Sequence, residues 1–87
     1  MTLNFPNMSR SYDARKRCVR FWGHDSALEI AFFVEVNALR KLNPQTPNAE
    51  AGYLEAFDLA RERIHGAARK VYSRTGKEAY LLAANDF

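Results

Sequence analysis

Apolar and polar positions alternate twice in the first half of the chain, over residues 17–22 and again over residues 28–34. In the first run Arg17, Val19 and Phe21 fall on one side, and Cys18, Arg20 and Trp22 on the other. In the second, Leu28, Ile30, Phe32 and Val34 oppose Glu29, Ala31 and Phe33. A period of two is that of a β-strand, and β-branched and aromatic side chains suit its pleated, half-buried surface. Between the runs, Gly23-His24-Asp25-Ser26 reads as the loop of a hairpin, with a leading glycine and side chains that bond nearby backbone. Upstream, Leu3-Asn4-Phe5 alternates and stops at Pro6, as a short edge strand would. The polar residues 7–15 read as a loop.

The period then changes. Val36, Leu39 and Leu42 recur every three residues, with Arg40 and Lys41 in the last turn and Asn43-Pro44 as a stop, so residues 35–42 predict a helix. Thr46-Pro47 predicts the opening of a second one, with threonine as cap and proline in the first turn. Tyr53, Phe57, Ala60, Ile64, Ala67 and Val71 are spaced alternately four and three apart, one apolar stripe along a single helix face. Arg69, Lys70 and Arg74 lie at the end where they complement the helix dipole, and Gly76 suits its termination. Residues 78–87 return to strand pattern, with Tyr80, Leu82 and Ala84 on one face.

The order β-β-β-α-α-β predicts a single α+β domain over residues 1–87: a mostly antiparallel sheet with two helices packed on one face. Length constrains it further. A continuous helix over residues 47–73 would span ~40 Å at 1.5 Å per residue, while a domain of this size has a radius of gyration of about 12 Å. The expectation is therefore a bend or end near Gly52 or Gly66, an overhang, or packing on a second copy.

Composition narrows the function classes. The apolar fraction is 47%, with eleven aromatic residues, which is the signature of a globular chain. Cys18 is the sole cysteine, so no internal disulfide forms, and a reducing cytoplasm is the expected compartment. The N-terminus lacks the pattern of a signal peptide, and no apolar run approaches the ~20 residues of a membrane span. The net charge of +3 is concentrated in two zones. Arg10, Arg15, Lys16, Arg17 and Arg20 face only Asp13 in the first; Arg61, Arg63, Arg69, Lys70, Arg74 and Lys77 face only Glu62 in the second. Merged in space they would attract polyanions; apart, they are solvated faces.

Candidate chemistry is sparse. His24-Asp25-Ser26 holds the residue types of a nucleophilic triad, but consecutive residues splay apart rather than meet in the required chain of hydrogen bonds. The histidines and the cysteine lack metal-ligand spacing, so no metal is expected, and His65 reads as a helix-flank residue. No glycine-rich phosphate loop occurs, so no cofactor is expected. Asp58 and Glu62, one turn apart, read as solvated carboxylates. The sequence thus predicts no catalytic residues. Arg20 and Trp22 share a strand face beside the run Arg15-Lys16-Arg17, and with His24 they form the expected interaction surface: Arg15, Arg17, Arg20, Trp22 and His24. A tryptophan there serves as an aromatic anchor for a protein partner or a second copy. In the alternative it stacks a base while arginines meet phosphates, although the element order departs from that of the RNP-type fold.

"LNFPN", "SRSYD", "VRFWGHDSALEIAFFVE", "ALRKL", a long helix and a terminal "DF" resemble the domain of unknown function 1488 family, short bacterial proteins of about this length. The resemblance spans essentially the whole chain. It implies a stand-alone α+β domain without an assigned activity or functional residues to carry over.

Overall fold

In a computed structural model that describes residues 3–6, 8–75 and 79–87, without the side chains of 73–75, the two alternating runs form the centre of a four-stranded sheet. The strands β1 (Arg10–Asp13), β2 (Cys18–Asp25), β3 (Leu28–Glu35) and β4 (Ala79–Leu82) stand in that order across it. β1–β2 and β2–β3 are antiparallel, and β4 lies parallel to β3. The sheet is thus mostly antiparallel with a mixed edge. A parallel neighbour requires the chain to be carried back over the sheet, and the helices α1 (Val36–Leu42), α2 (Glu50–Leu59) and α3 (Arg61–Thr75) supply that crossover. The architecture is α+β with the helices on one face. No helix among the described residues is long and apolar enough to cross a membrane.

Several boundaries differ from the sequence reading. The first strand lies at Arg10–Asp13, inside the stretch read as loop, and Leu3-Asn4-Phe5 contributes one isolated bridge, Asn4 to His24. β2 runs on through Gly23 and His24 to Asp25, so the hairpin loop has two residues, Ser26 and Ala27, not four. Ser26 takes φ = 56°, the positive value that tight two-residue turns demand at their first central position. Thr46 is no helix cap: it is buried, and its hydroxyl donates to the Asn43 carbonyl at 2.6 Å, while α2 opens three residues later after Ala49. The C-terminal residues leave the strand after Leu82 and make a 3-10 turn at Ala84–Asp86. Gly76, expected to end the long helix, lies outside the described residues.

The long helix does break, at Ala60 rather than near Gly52 or Gly66. The apolar stripe is carried by two helices that meet at Ala60, where φ = −104° and ψ = 15° depart from helical values. Hydrogen bonding still runs across the elbow, from the Ile64 amide to the Ala60 carbonyl at 3.0 Å. With the break there, the molecule measures 36 × 23 × 22 Å. The stripe itself stands: Tyr53, Phe57, Ile64 and Ala67 are buried, with Ala60 and Val71 packed at the margin.

The core is an aromatic ladder. Phe21, Phe32 and Tyr80 are register partners on β2, β3 and β4, and their rings stack at 5.3 Å and 5.3 Å. Phe57 of α2 tilts onto Phe21 at 5.1 Å. Offset and tilted rings at such spacings add favourable quadrupole contacts to the area they bury. Ile30, Leu39, Ile64 and Leu82 fill the space around them, each fully buried.

Candidate interaction face

Because successive side chains alternate, the sheet that buries Val19, Phe21, Ile30, Phe32 and Val34 under the helices turns an equal number of residues the other way. No element among the described residues covers that second face. Its composition follows from the register, row by row. Asp13, Cys18 and Glu35 form one row; Ser11, Arg20, Phe33 and Leu81 the next; then Trp22, Ala31 and Ala79; and finally His24 with Glu29. Phe33 and Leu81 in one middle row therefore adjoin Trp22, Ala31 and Ala79 in the next, with Ser11 and Arg20 beside them and charged rows at either end.

The cations lie over the rings. The Arg20 guanidinium sits 4.8 Å from the Trp22 ring centre and 5.7 Å from that of Phe33, and the Lys16 ammonium lies 4.6 Å from Phe33. A cation over an aromatic face gains from the ring quadrupole, by ~0.5–1 kcal/mol where exposed. Leu81, beside Phe33, is 56% exposed.

Of the five residues expected to make the working surface, Arg20, Trp22 and His24 do share this face. Arg15 and Arg17 do not join them. They belong to the β1–β2 turn at the end of the sheet, and Cys18, where β2 starts, is already ~13 Å from Trp22 at 3.3 Å per residue. The turn is fixed by Asp13, whose Oδ1 accepts the Arg15 and Lys16 amides at 3.0 and 3.2 Å, and by a left-handed Arg17 (φ = 52°). Arg15, Lys16 and Arg17 border a shallow depression of 270 Å³ with Glu35, Val36 and Asn37. Phe33, Lys16 and Leu81 are absent from the sequence-derived set, although the off-core position of Phe33 in its alternating run is the signal for the first of them.

The remaining chemistry-bearing groups are engaged elsewhere. Asp25 points to the helix side and accepts the Tyr72 hydroxyl at 2.6 Å, so it is held away from His24, which faces the other way. That bond to Asp25, more than burial, pushes the Tyr72 phenol up to about 12. His65 is buried, not a flank residue, and its ring stacks on Phe5 at 3.9 Å. Burial, reinforced by Arg61 and Arg69, lowers it to about 4. The buried Cys18 thiol donates to the Lys16 carbonyl at 3.1 Å; burial first, then Glu35 and Asp13, push it up, which disfavours the thiolate. No group of three or more His, Cys, Asp or Glu among the described residues could hold a metal ion.

The two basic zones touch at one carboxylate. Arg10 and Arg61 meet at Asp58: Arg10 Nε and Nη2 donate to its Oδ1 and Oδ2 at 2.9 and 2.8 Å, and Arg61 Nη2 to Oδ1 at 2.7 Å. Asp58 is thus a solvated carboxylate that also bridges two arginines. Arg63 and Lys70 stay in the helix layer and border a groove of 340 Å³ with Gly66, Ala67, Asp86 and Phe87.

Fold and face together define a class: small α+β domains with a mixed four-stranded sheet covered by helices on one side. Within that class the chain belongs to the DUF1488 family, described as proteins of unknown function, whose model matches residues 3–82. The fold is similar to the crystal structure of a protein of unknown function from that family, from Shewanella loihica PV-4. The TM-score is 0.83 at 16% identity, over 94% of each chain. No curated relative matches the chain.

Proposed function

We propose that the protein is a non-catalytic interaction module whose uncovered sheet face docks on a second copy of itself. One observation carries this reading: Trp22, Ala31, Phe33 and Leu81 line a face that its own helices leave open. Leu81 is exposed and the other three are half-buried, and adjoining apolar side chains open to solvent mark association sites. The choice of a second copy follows from the charges. Lys16 and Arg20 on this surface are accompanied by Asp13, Glu29 and Glu35 in the bounding rows. A two-fold axis brings opposite signs together on such a face, as a self-complementary contact requires. For phosphates, those carboxylates would be repulsive.

The test compares the wild type with Leu81→Glu, which alters an exposed side chain and leaves the core intact. Sedimentation equilibrium on the wild type is expected to give twice the 10.0 kDa chain mass, at concentrations up to about 100 μM, the range of weak interfaces. Leu81→Glu is expected to return the single-chain mass with an unchanged melting temperature. A wild type that stays at the single-chain mass throughout overturns the reading. So does quenching of Trp22 fluorescence by single-stranded RNA with a steep salt dependence, which would assign the face to nucleic acid.

A further inference from the structure

Gly23 is buried in the middle of β2, and the space its missing side chain leaves is filled from outside the sheet. A Cβ at this position would stand 2.9 Å from Leu3 Cδ1 and 3.0 Å from Phe5 Cε1. Leu3 and Phe5 therefore close directly on the strand's bare backbone, and Leu3 is buried there. The second wall of the seat comes from α3. His65 stacks on the Phe5 ring with 8° between the planes, Arg69 lies over the same ring at 5.0 Å, and Arg69 Nε donates to the Leu3 carbonyl at 3.3 Å. Between the two apolar side chains, Asn4 exchanges both backbone hydrogen bonds with His24, at 2.9 and 2.8 Å, and its own side chain is exposed.

This segment is attached to the sheet differently from β1. β1 keeps a continuous register with β2 from Arg10↔Phe21 to Asp13↔Cys18, and beyond Phe21 the described edge of β2 is met by Asn4 alone. Lifting residues 3–5 gives up two backbone hydrogen bonds, the Arg69 bond to the Leu3 carbonyl, the burial of Leu3 and the Phe5 ring contacts with Phe21, Phe32 and His65, and it leaves every strand pairing intact. What it uncovers is a strand edge with one N–H and one C=O, a side-chain-free position between two apolar sockets, and an arginine placed for a carbonyl. That is the complement of an extended segment adding to a sheet edge, where the backbone gives affinity and alternate side chains give specificity.

We propose that this edge is a peptide-docking site, occupied by the chain's own Leu3-Asn4-Phe5 as a built-in ligand. Its partner is an extended segment of another protein carrying an aliphatic residue, any residue and then an aromatic one. The aliphatic residue takes the enclosed Leu3 socket, and the aromatic one takes the stack between His65 and Arg69. A following proline, as Pro6 follows Phe5, ends the pairing because it offers no amide. The seats of the two apolar side chains lie on the helix side of the sheet, so the proposal does not require self-association on the open face, which this edge adjoins at His24.

The experiment uses the full chain with Leu3→Ser and Phe5→Ser, which empties the seat without altering it, and a synthetic peptide of residues 1–9 as probe. In the wild type the tethered segment competes at an effective concentration of roughly 1 mM, so a peptide with an intrinsic Kd of about 100 μM binds about tenfold more weakly than to the emptied variant. Adding Gly23→Ala to the emptied variant is expected to weaken peptide binding at least about tenfold, because the new methyl fills the socket floor. A folded double variant that fails to bind the peptide at about 1 mM, or binding indifferent to Gly23→Ala, overturns the proposal. Hydrogen exchange on the wild type decides the matter should the variant not fold. The His24 amide, bonded only to Asn4, is expected to exchange at least about a hundredfold faster than the core amides of β2 and β3, through local opening. Exchange of His24 only on global unfolding overturns the proposal.

Discussion

Asp58→Asn tests the clamp that joins three elements at the elbow of the helix layer. Arg10 belongs to β1, Asp58 lies in the last turn of α2 and Arg61 opens α3, so one ion pair spans the break at Ala60 and the other ties α2 to β1. The substitution keeps the shape and removes the charge. Buried pairs lose ~3–5 kcal/mol when broken, and exposed ones ~0.2–1 kcal/mol. The side chains here are 31% exposed for Arg10, 41% for Asp58 and 14% for Arg61, so solvent screens the carboxylate and the lower scale applies. Two pairs, one of them bidentate, then amount to about 1 kcal/mol. For a domain of this length that is a fall of ~4–8 °C in melting temperature.

The sign of the pH dependence follows from the carboxylate. The Arg10 hydrogen bond, with help from Arg61 and against burial, holds Asp58 below its usual range. A group depressed on folding stabilises fully above its unfolded pKa, and that contribution disappears as the pH falls through the folded value. The gap between wild type and Asp58→Asn is therefore expected to be constant from about pH 5 to 8 and to close below about pH 4. Thermal melts followed by circular dichroism measure it, and a double-mutant cycle with Arg10→Gln isolates the pair. Equal melting temperatures at pH 7, or a gap that persists at pH 2, refute the reasoning.

Two further outcomes follow from the helix layer. Gly66→Ala meets no atom within 4 Å and adds a strong helix former, so melts are expected to show a gain of ~0.5–1 kcal/mol; Gly52→Ala drives a Cβ to 2.8 Å from the Pro47 carbonyl oxygen and is expected to lower the melting temperature despite the same propensity gain. His65 is expected to titrate near 4 by NMR; because the unfolded chain takes up that proton at ordinary histidine pH while the folded one refuses it, stability falls from about pH 6.5 to about pH 4, and His65→Phe flattens that slope.

The strands that could be read from the sequence are those buried on one face. Burial forces alternation on β2 and β3, and their pattern survives in the composition. β1 escapes it because its inner positions are Arg10 and Tyr12, and Arg10 is spent on Asp58 rather than on the core. Edge strands are commonly charged in this way, which guards them against stray pairing and erases the apolar signal. Gly23 misleads for a related reason: a glycine in a strand marks close backbone approach as readily as a turn, and here the approach is by Leu3 and Phe5. The elbow at Ala60 carries no local signature, since alanine is the best helix former and the stripe runs straight through it. Only the mismatch between helix length and domain diameter betrays it.

The interaction face divides along the same line. Arg20, Trp22 and His24 share a side because the strand period is two, whatever the partners are. Which residues join them depends on register across β3 and β4, and that places Phe33 and Leu81 beside Arg20. Arg15 and Arg17 sit with Lys16 in the β1–β2 turn at the end of the sheet, and Lys16 between them reaches back over Phe33. One sheet therefore carries two aromatic rows with opposite treatment. The inner row, Phe21, Phe32 and Tyr80, is sealed by helices and supplies the fold with its core. The outer residues Trp22 and Phe33 lie under long cationic side chains, which cover apolar surface with their stems yet keep their charges in water. Such cover is easily moved aside. In the self-association proposed above, docking of a second copy would displace that cover and take its place over the rings.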